Sequence, residues 1–221
     1  MSKDVKYIYP VVFTGYEKLQ LNNLKAYNQI GYRSEIIVKH ILEQNETFSS
    51  CTFVKSKENM QLGDIKVKFH KHKKGYRYIE VKTGTMYQGR KKLCIDYRYT
   101  VKNCPDIEYS QSTIPPWIYS KYDTLAIVFY DEVYLVSNAT ILLEKVRQDV
   151  KRMRLRNANL DNDWYNIRNI EIAPGLVANI NQVHRKYDTW LLSVDLDTYL
   201  DIHNIKYKKI GYEVIKPKRV E

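Results

Sequence analysis

The chain has 221 residues and a formal net charge of +11, from 36 Lys and Arg against 25 Asp and Glu. This length suits one large domain, or a core with an appended subdomain, and the basic surplus favours a polyanionic partner such as nucleic acid. No apolar run reaches the ~18–20 residues of a transmembrane helix, and the N-terminus lacks the apolar core of a signal peptide, so we expect no membrane association.

The cysteines and histidines give no sign of a disulfide framework or a zinc site. Cys51, Cys94 and Cys104 are widely spaced and form no CxxC pair. This usage predicts reduced thiols and a cytoplasmic location. His70 and His72 alternate along a strand-like run, but no cysteine pair accompanies them at a zinc-site spacing. We therefore expect histidines that are solvated or that contact phosphate.

The N-terminal part of the chain predicts an extended segment followed by a long helix. Residues 1–14 are extended in pattern, and the helical pattern runs from Tyr16 to about Asn45. Gly31 is expected to divide it into two helices, since an interior glycine costs ~1 kcal/mol relative to alanine. The helical spacing of three and four is carried by Ile30, Ile36, Ile37, His40 and Ile41.

Alternation of apolar and polar residues predicts strands after this helix. Thr52 to Lys55 is a short candidate strand. Asp64 to Phe69 alternates strictly, and Tyr76 to Val81 returns as its partner after a charged turn. Residues 64–81 therefore predict a β-hairpin.

Further downstream, the strongest strand signal runs from Thr124 to Tyr130. Val133 to Val136 predicts another strand after a short turn. Ser137 or Asn138 is then expected to cap a helix from about Ala139 to Arg156.

The last third of the chain has weaker signals. Residues 157–169 are polar and predict a loop. Residues 190–194 followed by residues 195–202 loosely resemble the strand, cap and helix pattern of residues 133–143. The order of helices and strands along the whole chain predicts an α/β protein with a mixed sheet.

Acidic and basic side chains gather at one end of the predicted hairpin. Glu80 and Lys82 share a strand face because the side-chain period of a strand is two, and Asp64 opens the neighbouring strand. Two carboxylates this close repel unless a cation lies between them, and oxygen ligands suit Mg²⁺, for which Mn²⁺ would substitute. The carbonyl of Val81 would add a ligand. Glu35, from the preceding helix, would complete the metal shell or hold a ligated water.

Lys82 would lie near the attacking water of such a site. It would orient this water and help to stabilise its hydroxide. A metal ion additionally lowers the pKa of its bound water and neutralises charge on the phosphate. The cluster therefore predicts metal-dependent cleavage of phosphodiester bonds.

The order and spacing of four residues resemble the PD-(D/E)xK nuclease superfamily, which includes restriction endonucleases and Holliday-junction resolvases: Glu35, Asp64, Glu80 and Lys82. The resemblance covers residues 15–145 and implies an αβββαβ core, with a mixed central sheet flanked by helices. It also implies that Asp64 and Glu80 are metal ligands, that Lys82 is the lysine of the motif, and that Glu35 is the acidic residue of the helix. Gly63 departs from the family pattern, which has proline before the aspartate.

The resemblance suggests a division of the chain by function. Residues 1–145 would form the nuclease core. Residues 146–221 would form an accessory region that contains a basic helix and packs on the core, where it would supply substrate recognition.

Basic residues surround the predicted site, where a phosphate backbone would have to pass. A solvated face is the alternative interpretation of the same lysines. The candidate nucleic-acid contacts in and after the hairpin are Lys66, Lys68, Lys73, Lys74, Gln88, Arg90, Lys91 and Lys92, and those on the predicted helix are Lys151, Arg152 and Arg154.

Together these patterns predict a Mg²⁺-dependent DNA endonuclease that acts on duplex or branched DNA and works as a homodimer. The resemblance implies that hydrolysis leaves a 5′-phosphate. Two alternatives stay open at this point. One is a non-catalytic nucleic-acid-binding module of the same fold, and the other is an RNA endonuclease.

Overall fold

A computed structural model describes the chain at residues 7–9, 24–54, 63–70, 75–87, 89–101, 122–156, 166–174, 176–184 and 187–214. The chain forms two compact units that alternate along the sequence. Unit 1 consists of Met1–Thr83, Lys121–Asn138 and Tyr207–Glu221, and unit 2 consists of Gly84–Ser120 and Ala139–Lys206. The predicted division at residue 145 concerns function and stays a prediction. Residue 145 lies inside the helix Ala139–Arg156, which belongs to unit 2.

The elements follow one another in this chain order: β1 (Tyr7–Tyr9), α1 (Leu24–Glu43), β2 (Phe48–Phe53), β3 (Ile65–Phe69), β4 (Arg77–Thr83), β5 (Thr85–Tyr87), β6 (Arg90–Val101), β7 (Thr124–Val128), β8 (Glu132–Ser137), α2 (Ala139–Arg156), β9 (Asn166–Ala173), β10 (Leu176–His184), β11 (Tyr187–Asp195), α3 (Leu196–Ile202) and β12 (Tyr207–Val214). The chain contains both helices and strands around a mixed sheet, and the α/β class predicted from the sequence is confirmed.

Unit 1 is built on a mixed seven-stranded sheet in the order β1-β12-β8-β7-β4-β3-β2. Strands β2, β3 and β4 form an antiparallel meander. Strand β4 then pairs in parallel with β7, and β7, β8 and β12 continue antiparallel. Strand β1 closes the order in parallel with β12. The predicted hairpin is thus present as β3 and β4.

Helix α1 covers one face of the β3–β4–β7 part of the sheet. It contributes Ile37, Val38, Ile41 and Leu42 to a buried cluster that also contains Ile65, Val67, Ile79, Val81, Ala126 and Val128. Burial of each such side chain contributes ~1.5–3 kcal/mol. Because Ile79 and Val81 face the helix, the residues that alternate with them on β4 point to the opposite face of the sheet.

The structure differs from the sequence prediction within α1. The helix continues through Gly31, so the predicted break there is wrong. A Cβ at Gly31 would meet nothing within 4 Å, so this position packs against no neighbour. The apolar contacts of the four buried residues that follow outweigh the ~1 kcal/mol that an interior glycine costs.

Unit 2 contains an antiparallel five-stranded sheet in the order β5-β6-β11-β10-β9, together with α2 and α3. The predicted helix at 139–156 has the bounds of α2. Residues 190–202, whose pattern loosely resembles that of residues 133–143, form the end of β11 followed by α3. Asp195, the N-cap of α3, accepts a hydrogen bond from the Thr198 amide at 3.1 Å. Each of these two helices has apolar buried residues, including Leu142 and Leu200.

Two strand predictions need correction. The candidate strand at 52–55 begins earlier, since β2 spans Phe48–Phe53. Residues 166–169, predicted as part of a loop, belong to β9, where pairing with β10 holds a polar segment extended. The remainder of that predicted loop lies outside the described residues. Across the ranges that are described, no helix is long and apolar enough to cross a membrane.

Candidate active site

The register of the β-hairpin sets the positions of the first two candidate residues. Strands β3 and β4 pair Ile65 with Ile79, and one step further the same register places Asp64 across from Glu80. The Asp64 amide donates to the Ile79 carbonyl at 2.9 Å, and the Asp64 carbonyl accepts from the Val54 amide at 2.9 Å. The Asp64 backbone is therefore hydrogen-bonded to Val54, which follows β2, and to Ile79 of β4, independently of its side chain.

The carboxylate of Asp64 reaches over β4. Its Oδ2 accepts a hydrogen bond from the Val81 amide at 2.7 Å, and the side chain is half-buried. The bond fixes the orientation of the carboxylate. It also brings Asp64 next to the backbone of Val81, the residue that was predicted to supply a carbonyl ligand.

Glu80 is the most deeply placed member of the cluster. Only 6% of the residue is exposed, and the parallel pairing with β7 places it beside the buried Leu125. Lys82 Nζ donates to Glu80 Oε1 at 2.5 Å. Burial raises the pKa of Glu80 above its ordinary value; the Lys82 ammonium lowers it and the Asp64 carboxylate raises it further. Because 44% of the Lys82 side chain is exposed, the pair links a buried carboxylate to the surface.

Glu35 lies on α1, and its carboxylate interacts electrostatically with Asp64, Glu80 and Lys82. A hydrogen bond connects this helix to the end of β4: Ser34 Oγ lies 2.9 Å from Thr83 Oγ1. Burial raises the pKa of Glu35 to about 7, with further increases from Asp64 and Glu80 and a decrease from Lys82. A group with this pKa changes its charge near neutral pH, which is the range where acid–base catalysis is most effective.

The backbone conformation at Gly63 excludes a proline before the aspartate. Its φ is +101°, and a Cβ there would lie 3.0 Å from the Ile79 carbonyl oxygen and 3.2 Å from the Glu80 amide nitrogen. Proline has a fixed φ near −65° and cannot adopt this conformation. The chain enters β3 so close to the backbone of β4 that glycine is required.

The chemistry of the cluster fits a divalent cation. The carboxylates of Glu35 and Glu80 both interact with the Lys82 ammonium, and the pKa values of both glutamates are raised first by burial and also by neighbouring carboxylates. Hard carboxylate oxygens of this kind suit Mg²⁺ or Mn²⁺. In the described part of the chain, however, no three His, Cys, Asp or Glu side chains are arranged closely enough to hold a metal ion. A cation bound here would replace Lys82 as the partner of the Glu80 carboxylate and the Val81 amide as the partner of the Asp64 carboxylate.

The basic residues proposed as nucleic-acid contacts fall in three places. Lys66 and Lys68 lie on β3, on the face that points away from α1. Others lie in unit 2, on β6 (Arg90, Lys91 and Lys92) and on α2 (Lys151, Arg152 and Arg154). Arg90 and Arg152 are exposed, and His70 in unit 1 is exposed as well. The remaining candidates Lys73, Lys74, Gln88 and His72 lie outside the described residues.

Two residues of the site were not selected from the sequence. Ser34 and Thr83 join α1 to β4 across 49 positions of chain, so no local pattern identifies them. The requirement for glycine at position 63 is also invisible in the sequence, because it depends on how closely β4 approaches.

Comparison of the chain with protein-family models, with curated proteins and with solved structures finds no match. Function is therefore inferred from the residues themselves. The feature that stands out among them is a buried glutamate with a lysine partner, surrounded by further carboxylates.

Proposed function

We propose that this protein is a metal-dependent endonuclease that hydrolyses phosphodiester bonds in DNA at the cluster of Glu35, Asp64, Glu80 and Lys82. The observation that carries the proposal is the environment of Glu80. Burying a carboxylate is costly unless donors surround it, and here the neighbours include two more carboxylates. Titratable groups with perturbed pKa values that gather in this way are typical of functional sites.

The topology of unit 1 supports the finer proposal of a restriction-endonuclease-like core. Helix α1 precedes the antiparallel β2–β3–β4 meander, and β4 pairs in parallel with β7. This is the order that the resemblance to PD-(D/E)xK nucleases implies for a helix, three strands and a fourth strand. Among the described residues of the connection between β4 and β7, the elements are two strands rather than the implied helix.

In the proposed site, Asp64, Glu80 and the Val81 carbonyl would hold Mg²⁺ or Mn²⁺. The bound cation would lower the pKa of a water and neutralise charge on the phosphate. If Glu80 held the cation instead of accepting from Lys82, the Lys82 ammonium would orient the attacking water. Glu35, ionised above about pH 7, would accept a hydrogen bond from that water or from a second one.

The proposal is tested by incubating the purified protein with Mg²⁺ and labelled linear duplex, four-way-junction, single-stranded and RNA substrates. We expect cleavage of DNA, inhibition by EDTA, and 5′-phosphate products. Lys82→Ala and Asp64→Ala should lose cleavage while they keep their fold and their DNA affinity. Full Mg²⁺-dependent cleavage by purified Lys82→Ala would contradict the proposal.

A non-catalytic nucleic-acid-binding protein is the second candidate, and one observation favours it. Glu80 accepts from Lys82 and Asp64 accepts from the Val81 amide, so both carboxylates already have donors without a cation. Such a protein would bind nucleic acid in the same experiment and cleave none of the substrates. Preferential cleavage of RNA would instead identify a ribonuclease, since metal-assisted hydrolysis does not by itself distinguish the two sugars.

A homodimer fits the proposed activity on duplex or branched DNA, because cleavage of two strands requires two sites. Sedimentation of the protein alone and with a four-way junction tests this part of the proposal. A protein that stays monomeric while it cuts both strands at symmetric positions would contradict it.

A further inference from the structure

The sheet face that carries the candidate site continues away from it as a row of lysines and tyrosines. Lys66 and Lys68 follow Asp64 on β3 at the strand period of two, and Tyr78 and Tyr76 precede Glu80 in the same way. Lys66 pairs with Tyr78 across the hairpin. These four residues, here called the lysine–tyrosine face, therefore lie on the same side of the sheet as the carboxylates.

Lys66 and the two tyrosines form an ordered group. The Lys66 ammonium lies 3.8 Å from the centroid of the Tyr76 ring and 6.0 Å from that of Tyr78. A cation this close to an aromatic face is attracted by the ring. Tyr76 is nevertheless 49% exposed, so much of its surface stays available to a ligand.

Among the described residues, the neighbours of this face on the edge strand are exposed. On the neighbouring edge strand, the residues paired with Lys66 and Lys68 are Thr52 and Ser50, which are small, polar and exposed. On the β7 side, Asp123 accepts from the Tyr78 amide at 3.2 Å and pairs with Arg77 at 2.6 Å. Its charge is therefore compensated by a partner.

The spacing links the lysine–tyrosine face to the candidate site. Two residues of a strand span about 7 Å, so Lys66 and Tyr78 lie roughly that far from Asp64 and Glu80, and Lys68 and Tyr76 lie one such step further. A polyanionic chain whose charges contact Lys68 and Lys66 would therefore reach Asp64 and Glu80 at its next step.

Exposed tyrosine rings next to lysines match the chemistry of unpaired nucleotides. Bases stack on aromatic rings with about 1–3 kcal/mol per base, and ammonium groups contact the phosphates. In a duplex each base already stacks between its neighbours, so a protein ring on a flat surface gains this contact only from unpaired bases.

We propose that the lysine–tyrosine face binds an unpaired DNA strand, with Tyr76 and Tyr78 stacking on bases and Lys66 and Lys68 contacting phosphates. The bound strand is thereby led to Asp64 and Glu80, a consequence that rests on the proposed nuclease function. The proposal narrows the substrate to DNA with single-stranded segments, such as flaps, overhangs or opened junctions.

Binding is measured by fluorescence anisotropy with a labelled oligothymidine strand and with a duplex of the same length, in EDTA so that nothing is cut. We expect Tyr76→Ala to raise the Kd for the single strand about 5- to 140-fold, as 1–3 kcal/mol of stacking requires, and to change the Kd for the duplex much less. Tyr76→Phe, which keeps the ring, should bind like the wild type. Lys66→Gln should reduce the slope of log K against log salt by about 0.7.

Tyr130→Ala is the matched control. Tyr130 is 45% exposed and follows β7, which runs parallel to β4, so it lies beyond the carboxylates in the opposite direction from Tyr76. Its substitution should leave the affinity for the single strand unchanged. Unchanged affinity in Tyr76→Ala would overturn the inference, and so would an equal loss in Tyr130→Ala or an equal loss of duplex affinity.

The experiment separates this inference from the proposed function. If the protein cleaves DNA but Tyr76→Ala binds the single strand normally, the inference fails and the nuclease proposal stands. If the protein cleaves nothing and Tyr76→Ala still loses affinity for the single strand, the binding face stands and the nuclease proposal fails.

Discussion

Each of the two compact units contains a buried carboxylate, and the polar and charged groups around these two carboxylates differ. In unit 2, Asp149 of α2 has a side chain that is 3% exposed. Its Oδ2 accepts from the Tyr199 hydroxyl at 2.7 Å and lies 2.9 Å from His203 Nε2, while Arg152 Nη1 lies 3.6 Å from Oδ1. Tyr199 is itself fully buried, and burial followed by the bond to Asp149 raises the pKa of its hydroxyl far above the usual range.

Glu80 in unit 1 is buried almost as deeply, with a side chain that is 8% exposed. Its partner is the partly exposed Lys82, and the carboxylates of Asp64 and Glu35 add negative charge nearby. Donors on two helices surround Asp149, so its burial stabilises the fold. Glu80 has one ammonium partner, Lys82, and further carboxylates nearby, so its burial is less well compensated and indicates a function. The contrast predicts different consequences for equivalent substitutions.

The largest expected effect is on catalysis. Glu80→Gln keeps the shape of the side chain but removes the charge that would hold the cation, which contributes several kcal/mol to transition-state stabilisation. We expect the cleavage rate to fall about 10³-fold, while the midpoint of urea unfolding stays the same or rises. The measurements are single-turnover cleavage with Mg²⁺ and unfolding followed by circular dichroism. Retained cleavage would remove Glu80 from the site.

The matched change in unit 2 should act on stability instead. Asp149→Asn leaves an acceptor for Tyr199 but removes the charge that faces His203 and Arg152. Breaking a buried charged network of this kind costs about 2–4 kcal/mol in the free energy of unfolding. Urea unfolding measures the loss, and equal stabilities of Asp149→Asn and Glu80→Gln would show that the two environments do not differ as described.

Gly63 tests whether the position of Asp64 depends on the close approach of β4. Gly63→Ala should destabilise the protein by about 2–3 kcal/mol, because it combines a positive φ with a Cβ 3.0 Å from the Ile79 carbonyl oxygen. Gly75 is the control, since its φ is +102° and a Cβ there meets nothing within 4 Å. Gly75→Ala should therefore cost only about 1–2 kcal/mol. Equal costs in thermal unfolding would show that backbone crowding at Gly63 has no effect.

The smallest expected effect is a pH dependence of stability. Burial, followed by Asp64 and Glu80, raises the pKa of Glu35 from 4.5 to about 7, so the folded state holds a proton that the unfolded state has lost. Stability is therefore lost as pH rises from 4.5 through 7. Glu35→Gln should gain about 1–2 kcal/mol relative to the wild type between pH 5 and pH 8, after allowance for solvent screening of this half-buried group. A constant difference in urea unfolding across this range would contradict the pKa shift.

Elements defined by local patterns could be predicted from the sequence. Helix α2 has the predicted bounds, because polar Ser137 and Asn138 separate a buried strand from a helical repeat. The strand period placed Glu80 and Lys82 on one face, and their hydrogen bond agrees with that placement. Both arrangements depend on residues that are close together in the chain.

What could not be predicted depends on distant contacts. Strand β9 begins in a segment with no strand pattern, and it is extended because β10 pairs with it. Two groups that face Asp149, those of Tyr199 and His203, come from about 50 residues downstream, so no local spacing in the sequence indicates them. The crowding at Gly63 arises in the same way, from a strand that follows it by more than ten residues.

A calorimetric titration of the wild type and Asp64→Asn with Mn²⁺, in the absence of nucleic acid, tests the central claim most directly. If the carboxylates around Glu80 form a cation site, the wild type should release or absorb heat with saturation at a defined stoichiometry, and Asp64→Asn should lose this heat while it keeps the unfolding midpoint of the wild type. No heat from the folded wild type, or the same heat from both proteins, would contradict the claim.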